Sequence, residues 1–226
     1  MNYSDYRRVA RENLEGNWKK SLGVAFVASI FGALIVGSNF SLDLDLEREI
    51  LQQLPDIILS FLAVMVSFSG TLNLVHFILG GPVQLGYAKV LLKQYHRQEF
   101  EVKDLFSQFA RFKQGFLMNL LRGLYIFLWT LLFIIPGIVA SYKYALAPFL
   151  MTENPEMTAK EAIAASTELM DGYKGHLFML DLSFIGWDLL AMLTLGIGFL
   201  WLNPYKNAAH AVFYRQVLAE QKPAIE

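Results

Sequence analysis

Four ionisable side chains stand inside long apolar stretches of this sequence: Arg122, Lys143, Asp181 and Asp188. A charge in hydrocarbon costs kilocalories unless it is paired or faces water. Such residues therefore mark ion or proton pathways, substrate sites or clamps between helices. Asp181 and Asp188 are seven apart and share one helix face, and Arg122 shares a face with Asn119. Two chemistries follow. In one, Arg122 pairs across two membrane helices with Asp188, or failing that with Asp181, and the pair either clamps the helices or lines a transport or proton pathway. In the other, Asp181, His176 and Lys174 gather at one interface depth and serve a membrane-embedded enzyme acting on lipid.

Other chemistries lack a signal. The four histidines, His76, His96, His176 and His210, show no i, i+4 pair and no H-E-x-x-H, so no metal and no cofactor is expected. Gly196-Ile197-Gly198 is set in apolar residues with no strand before it and is no phosphate loop. No serine has a G-x-S-x-G setting, and no catalytic residue is assigned. The chain has no cysteine, which excludes disulfides, thiolate metal sites and a thiol nucleophile. A net charge of −1 gives no basic excess for nucleic acid. An enzyme is thus less expected than a non-enzymatic module.

The elements that must position those charges are apolar helices. Hydrophobic residues make up 55% of the 226 and charged ones 17%; soluble domains run at about 45–50% and about 25%. Mean hydropathy is +0.39. A span needs about 20 apolar residues, and six segments qualify or nearly so: 21–39, 57–79, 115–135, 137–151, 177–195 and 198–218. The fourth is short, and the sixth loses apolar character after Tyr205. Breaks are expected at Gly80-Gly81-Pro82, Pro136-Gly137 and Gly196-Ile197-Gly198. Basic residues cluster at Arg7, Arg8, Arg11, Lys19 and Lys20 and again at Lys93, Arg97, Lys103, Arg111 and Lys113, whereas the loop at 40–56 is acidic. The positive-inside rule puts that loop outside and both termini in the cytoplasm.

The fold class expected is all-α, a single integral membrane domain with a three-fold repeat of helix–break–helix units over 1–95, 96–152 and 153–226. Each unit begins with a polar stretch ending in an aromatic–lysine pair: Trp18-Lys19, Phe112-Lys113 and Tyr173-Lys174. Each later reaches a tyrosine near a lysine, at Tyr87, Tyr142 and Tyr205. The polar stretches read as interfacial amphipathic helices, with Tyr6, Val9, Ala10, Leu14 and Trp18 on one face of the first and Val102, Leu105, Phe106, Phe109 and Phe112 on one face of the second. The third opens on a capping box at Thr158 and Glu161 and closes at Gly172. Ser21, Ala25, Ser29, Ala33 and Gly37 form a small-residue stripe suited to close helix packing.

The C-terminal third resembles the bacterial family called domain of unknown function 975. The resemblance lies in Leu182–Trp187 (LSFIGW), Leu193–Gly198 (LTLGIG), Leu200–Leu202, Pro204-Tyr205, Ala211 and Phe213-Tyr214. Ile135-Pro136-Gly137, Ser141-Tyr142, Asn17-Trp18 and Leu105-Phe106-Ser107 carry it over the rest of the chain. It implies a multi-pass protein of the bacterial plasma (inner) membrane and supplies no catalytic residues. The expectation is a module in transport or membrane-complex assembly. Membrane lipid, and a membrane protein or a second copy, would be its partners.

Overall fold

Local sequence sets most helix ends. The computed structural model describes residues 2–30, 78–194 and 196–221, and among these all regular structure is helical. Asn2 and Asp5 form a capping box that starts α1 (Tyr3–Leu14), and Gly16, at φ +77°, turns the chain into α2 (Trp18–Ile30). Helix α3 covers 78–95. Two 3-10 turns, Val102–Phe106 and Phe109–Arg111, lead into α4 (Phe112–Leu132). Then come α5 (Ile134–Lys143), α6 (Ala147–Glu153), α7 (Ala159–Leu169), α8 (Lys174–Leu182), α9 (Ile185–Leu193) and α10 (Phe199–Gln221).

The core is built around α10. Its residues 207–214 are all buried, including Asn207 and His210. Helices α1, α2, α7, α8 and α9 all pack on it. The Tyr6 and Phe213 rings lie 5.6 Å apart, and Tyr214 stacks on Phe149 at 5.1 Å. The sixth expected span is therefore the central helix of the fold. Burial of Tyr6 in this packing, with Glu220 nearby, raises its phenol to about 12. The expected interfacial role of α1 is also replaced, because its apolar face (Tyr6, Ala10, Leu14) is covered by α10. The second amphipathic stretch is not an α-helix but the two 3-10 turns, with Leu105 buried and Val102 and Phe106 exposed. The third is α7, whose capping box closes as expected and whose Gly172 adopts φ +76°. Ser21 and Ala25 of the small-residue stripe are buried, with α2 against α10 and the first 3-10 turn. Ala33, Gly37, the acidic loop and the second expected span lie outside the described residues.

Two hairpins stand out from this core. Phe133, in an extended conformation, separates α4 from α5, and Pro136 falls in the first turn of α5, where its missing N–H costs no helical bond. Gly137 lets the arms meet, since a Cβ there would lie 2.1 Å from Thr130 Oγ1. The second hairpin joins α9 to α10 through Gly196, at φ +87°, with Gly198 packed against Ala191. Both tips are apolar and bare: Phe133 is 69% exposed and Leu193 79%. By length and composition, three described stretches can cross a membrane: Val102–Leu132, Ile134–Glu153 and Lys174–Leu193. Such exposed apolar surface is suited to lipid rather than water.

Helix breaks in these stretches free backbone groups that hydrocarbon cannot satisfy. Between α5 and α6, the buried Ser166 hydroxyl donates to Lys143 O at 2.9 Å and accepts from Leu146 N at 3.2 Å. Ser166→Ala removes both contacts. We expect a loss of about 1–3 kcal/mol in a denaturant titration of the purified protein.

Candidate functional site

The charges of the α8–α9 segment meet their partners on α10. Asp188, in the first turn of α9, takes Lys206 Nζ at 3.0 Å, with both side chains mostly buried. One turn along α10, His210 Nε2 lies 2.7 Å from Asp181 Oδ1 of α8. Tyr142, at the end of α5, also acts on Asp181 electrostatically. The acids are two turns apart on one segment, and Lys206 and His210 opposite them are one turn apart on α10. Lys206 also acts on Asp181 electrostatically, so the five side chains form one network.

A third contact set braces the network. Helices α8 and α9 are interrupted at Ser183 and Phe184, and Arg7 of α1 donates to the Ser183 carbonyl at 3.2 Å. Its guanidinium lies 5.9 Å over the Phe184 ring. The Tyr205 hydroxyl donates to Arg7 O at 3.1 Å, and its ring meets Phe184 edge-on. Helices α1, α8, α9 and α10 are thereby locked at one level. A second polar cluster closes the far end of α10: Glu153 accepts from the Tyr214 hydroxyl at 2.6 Å and pairs with Arg215 at 2.9 Å, and Arg215 also bonds His96.

The structure redistributes the residues expected from sequence. Asp181 and Asp188 are in the network, but neither takes Arg122. Helix α4 packs chiefly on α5 and α7, while α9 packs on α10, so the two segments are not neighbours. Arg122 Nη1 is buried with no hydrogen-bond partner. Asn119 is half-buried one turn before it. Lys143 is the last residue of α5, with its ammonium 5.7 Å from the Tyr144 ring, and falls midway along the Ile134–Glu153 stretch. The Asp181, His176, Lys174 grouping is not formed: Lys174 pairs with Asp171 and His176 packs against Tyr173. That pairing holds the Asp171 carboxyl below its usual range.

Nor do Gly80, Gly81 and Pro82 form a break, since α3 runs through all three. A Cβ on Gly81 would come 2.2 Å from Gly115 O, so the absent side chain lets α3 cross α4 closely. Lys206, His210 and Tyr142 are the members that spacing rules missed. The signal was present in the i, i+4 pair Lys206 and His210 facing an i, i+7 pair of acids. No cluster of three or more metal-type ligands occurs among the described residues.

No curated protein and no solved structure matches this chain. One family does, across nearly its whole length, in two stretches covering 1–140 and 131–221. With the membrane-compatible hairpins and the sequence landmarks, that match settles the affiliation: the chain belongs to the family described as Protein of unknown function (DUF975).

Proposed function

We propose that this chain is a non-enzymatic integral membrane module that contributes to assembly with membrane partners. The observation behind it is the closure of the intramembrane acids on Lys206 and His210 of the same chain. Asp188 is matched by Lys206 and Asp181 by His210 and Tyr142, as a clamp requires.

The layout proposed with it is a bacterial inner-membrane protein of six spans, with both termini cytoplasmic and the acidic loop outside. The three-fold repeat is part of the same proposal. It is supported by the left-handed glycines Gly16 and Gly172, each just ahead of an aromatic–lysine pair. It is supported also by Tyr142 and Tyr205, each edge-on to a phenylalanine of the α8–α9 segment. Tyr87 departs from them, for it is buried with an unpartnered hydroxyl.

Flux and crosslinking together test the function. In proteoliposomes the chain should dissipate a proton or potassium gradient no faster than empty vesicles do. In native membranes it should crosslink into a complex larger than itself. A gradient that collapses with the native chain and is held with Asp188→Asn would overturn the reading in favour of transport. Turnover of vesicle phospholipid would overturn it in favour of the enzyme.

A further inference from the structure

Beside the braced network, between the α9–α10 hairpin and the junction of α1 with α2, runs a groove of about 340 Å³. That volume is in the range of small-molecule sites. Its walls are almost wholly apolar and include Trp18, Trp187, Leu190 and Trp201. Thr194 and Gly198, beside the hairpin turn, and Arg11 and Tyr205, on α1 and further along α10, complete the lining. The Arg11 side chain is exposed and pairs with no acid among the described residues.

We propose that this groove binds one anionic phospholipid, with its phosphate at Arg11 and an acyl chain lying along Trp187, Leu190 and Trp201. Three observations carry the assignment. The groove has a cation at one end only, so an occupant must be charged at one end and apolar beyond. Its polarity runs in the same direction as that of the hairpin, from charged base to bare apolar tip, so a lipid seated there keeps the orientation it has in a bilayer. Its wall is also continuous with the exposed apolar surface of the hairpin around Leu189 and Leu193. An acyl chain can therefore enter from the bilayer without crossing water. The indoles suit the site as well, with apolar rings and an N–H that serves the headgroup level. Lys19 and Lys20 are exposed next to Trp18 but do not line the groove, so Arg11 sets the preference for a net-negative headgroup over a zwitterionic one.

Tryptophan quenching reads this directly. Three of the four tryptophans line the groove, and the fourth, Trp129, is on α4. The full chain carrying Trp129→Phe, in neutral detergent micelles, is titrated with acyl-brominated phosphatidylglycerol and phosphatidylcholine. Quenching should saturate with both, and the anionic lipid should bind about fivefold more tightly, from one added basic contact near the headgroup. Arg11→Gln should abolish that preference. Arg8→Gln, whose side chain pairs with Asp5, and Arg11→Lys should both keep it. Should Arg11→Gln lose helical circular dichroism, Arg11→Lys and the native chain still decide. Equal affinity for the two lipids, a preference that survives Arg11→Gln, or quenching that never saturates would each overturn the site. So would quenching blocked by concentration-dependent dimerisation, which would make a second copy the occupant. The proposal rests on membrane residence: a chain stripped from membranes by carbonate would sink that reading, whereas a retained chain without lipid preference sinks only this one.

Discussion

Lys206→Ala should destabilise the protein by about 3 kcal/mol, while Lys206→Met combined with Asp188→Leu should recover most of that loss. Truncating the lysine leaves Asp188 desolvated and opposite nothing. Breaking a buried ion pair on one side costs about 3–5 kcal/mol. The low end applies here because the Asp188 side chain keeps 24% of its exposure. Removing both charges also removes the orphan, and apolar replacements of similar size are often neutral or better. Unfolding of the purified protein by sodium dodecyl sulfate, followed by circular dichroism, gives all three values. A single variant within about 0.5 kcal/mol of the native chain would show the pair to be a surface contact of the ordinary kind. The same argument applied to the sequence alone would have placed the sensitive cation at Arg122. Among the described residues Arg122 has no acid to orphan.

Gly86→Ala should cost about 3 kcal/mol, although alanine is the better helix former. Gly86 is in the middle of α3, where a free helix position would gain about 1 kcal/mol from the change. The added Cβ, however, would lie 1.8 Å from Leu105 O and 2.5 Å from its carbonyl carbon. Both are backbone atoms of a 3-10 turn, so no rotamer change relieves the contact and the turn must move away from the helix. Overpacking of this kind typically costs about 1–3 kcal/mol, and rigid backbone on both sides puts this site at the upper end. The same unfolding assay checks the sign: a gain in stability would mean that the turn yields freely. Gly16→Ala is the contrast, since nothing lies within 4 Å of a Cβ there and only its φ of +77° resists.

What the residues revealed, and what they did not, follows from the physics each rule encodes. Charges in apolar runs are conspicuous because their burial is costly, so Asp181 and Asp188 could be picked out. Their partners could not, because periodicity gives the face of a helix and says nothing about which helix lies opposite. Lys206 follows Pro204-Tyr205, and an aromatic–lysine step reads equally as a membrane-interface marker. His210 is invisible to a search for histidine pairs, since its partner is a carboxylate from another helix. Glycine and proline at 80–82 fit a turn or a close helix crossing equally, because both need a missing side chain. Likewise, the apolar spacing of 102–112 fits a helix stripe but forms two short 3-10 turns. The all-α class and the capping box at Thr158 were readable because they depend on nearest neighbours in sequence. The central place of α10 was not, for its buried alanines and small polar groups lower its hydropathy below that of α8 and α9, which pack on it.

That central place bears on how the chain is made. Tyr6 and Phe213 are neighbours in space but roughly 200 residues apart in sequence. At a synthesis rate of about 5–20 residues per second, α1 emerges about 10–40 s before the helix that covers its apolar face. Through that interval the stripe of Tyr6, Ala10 and Leu14 has only the bilayer surface, a chaperone or a wrong helix to rest on. Helix α10 thus emerges after α1, α2, α7, α8 and α9, which all pack on it. Nonsense codons anywhere upstream of Phe199 would release chains without the helix on which α1 and α2 pack, leaving at most the smaller core cluster around Met118 and Ala162 to close.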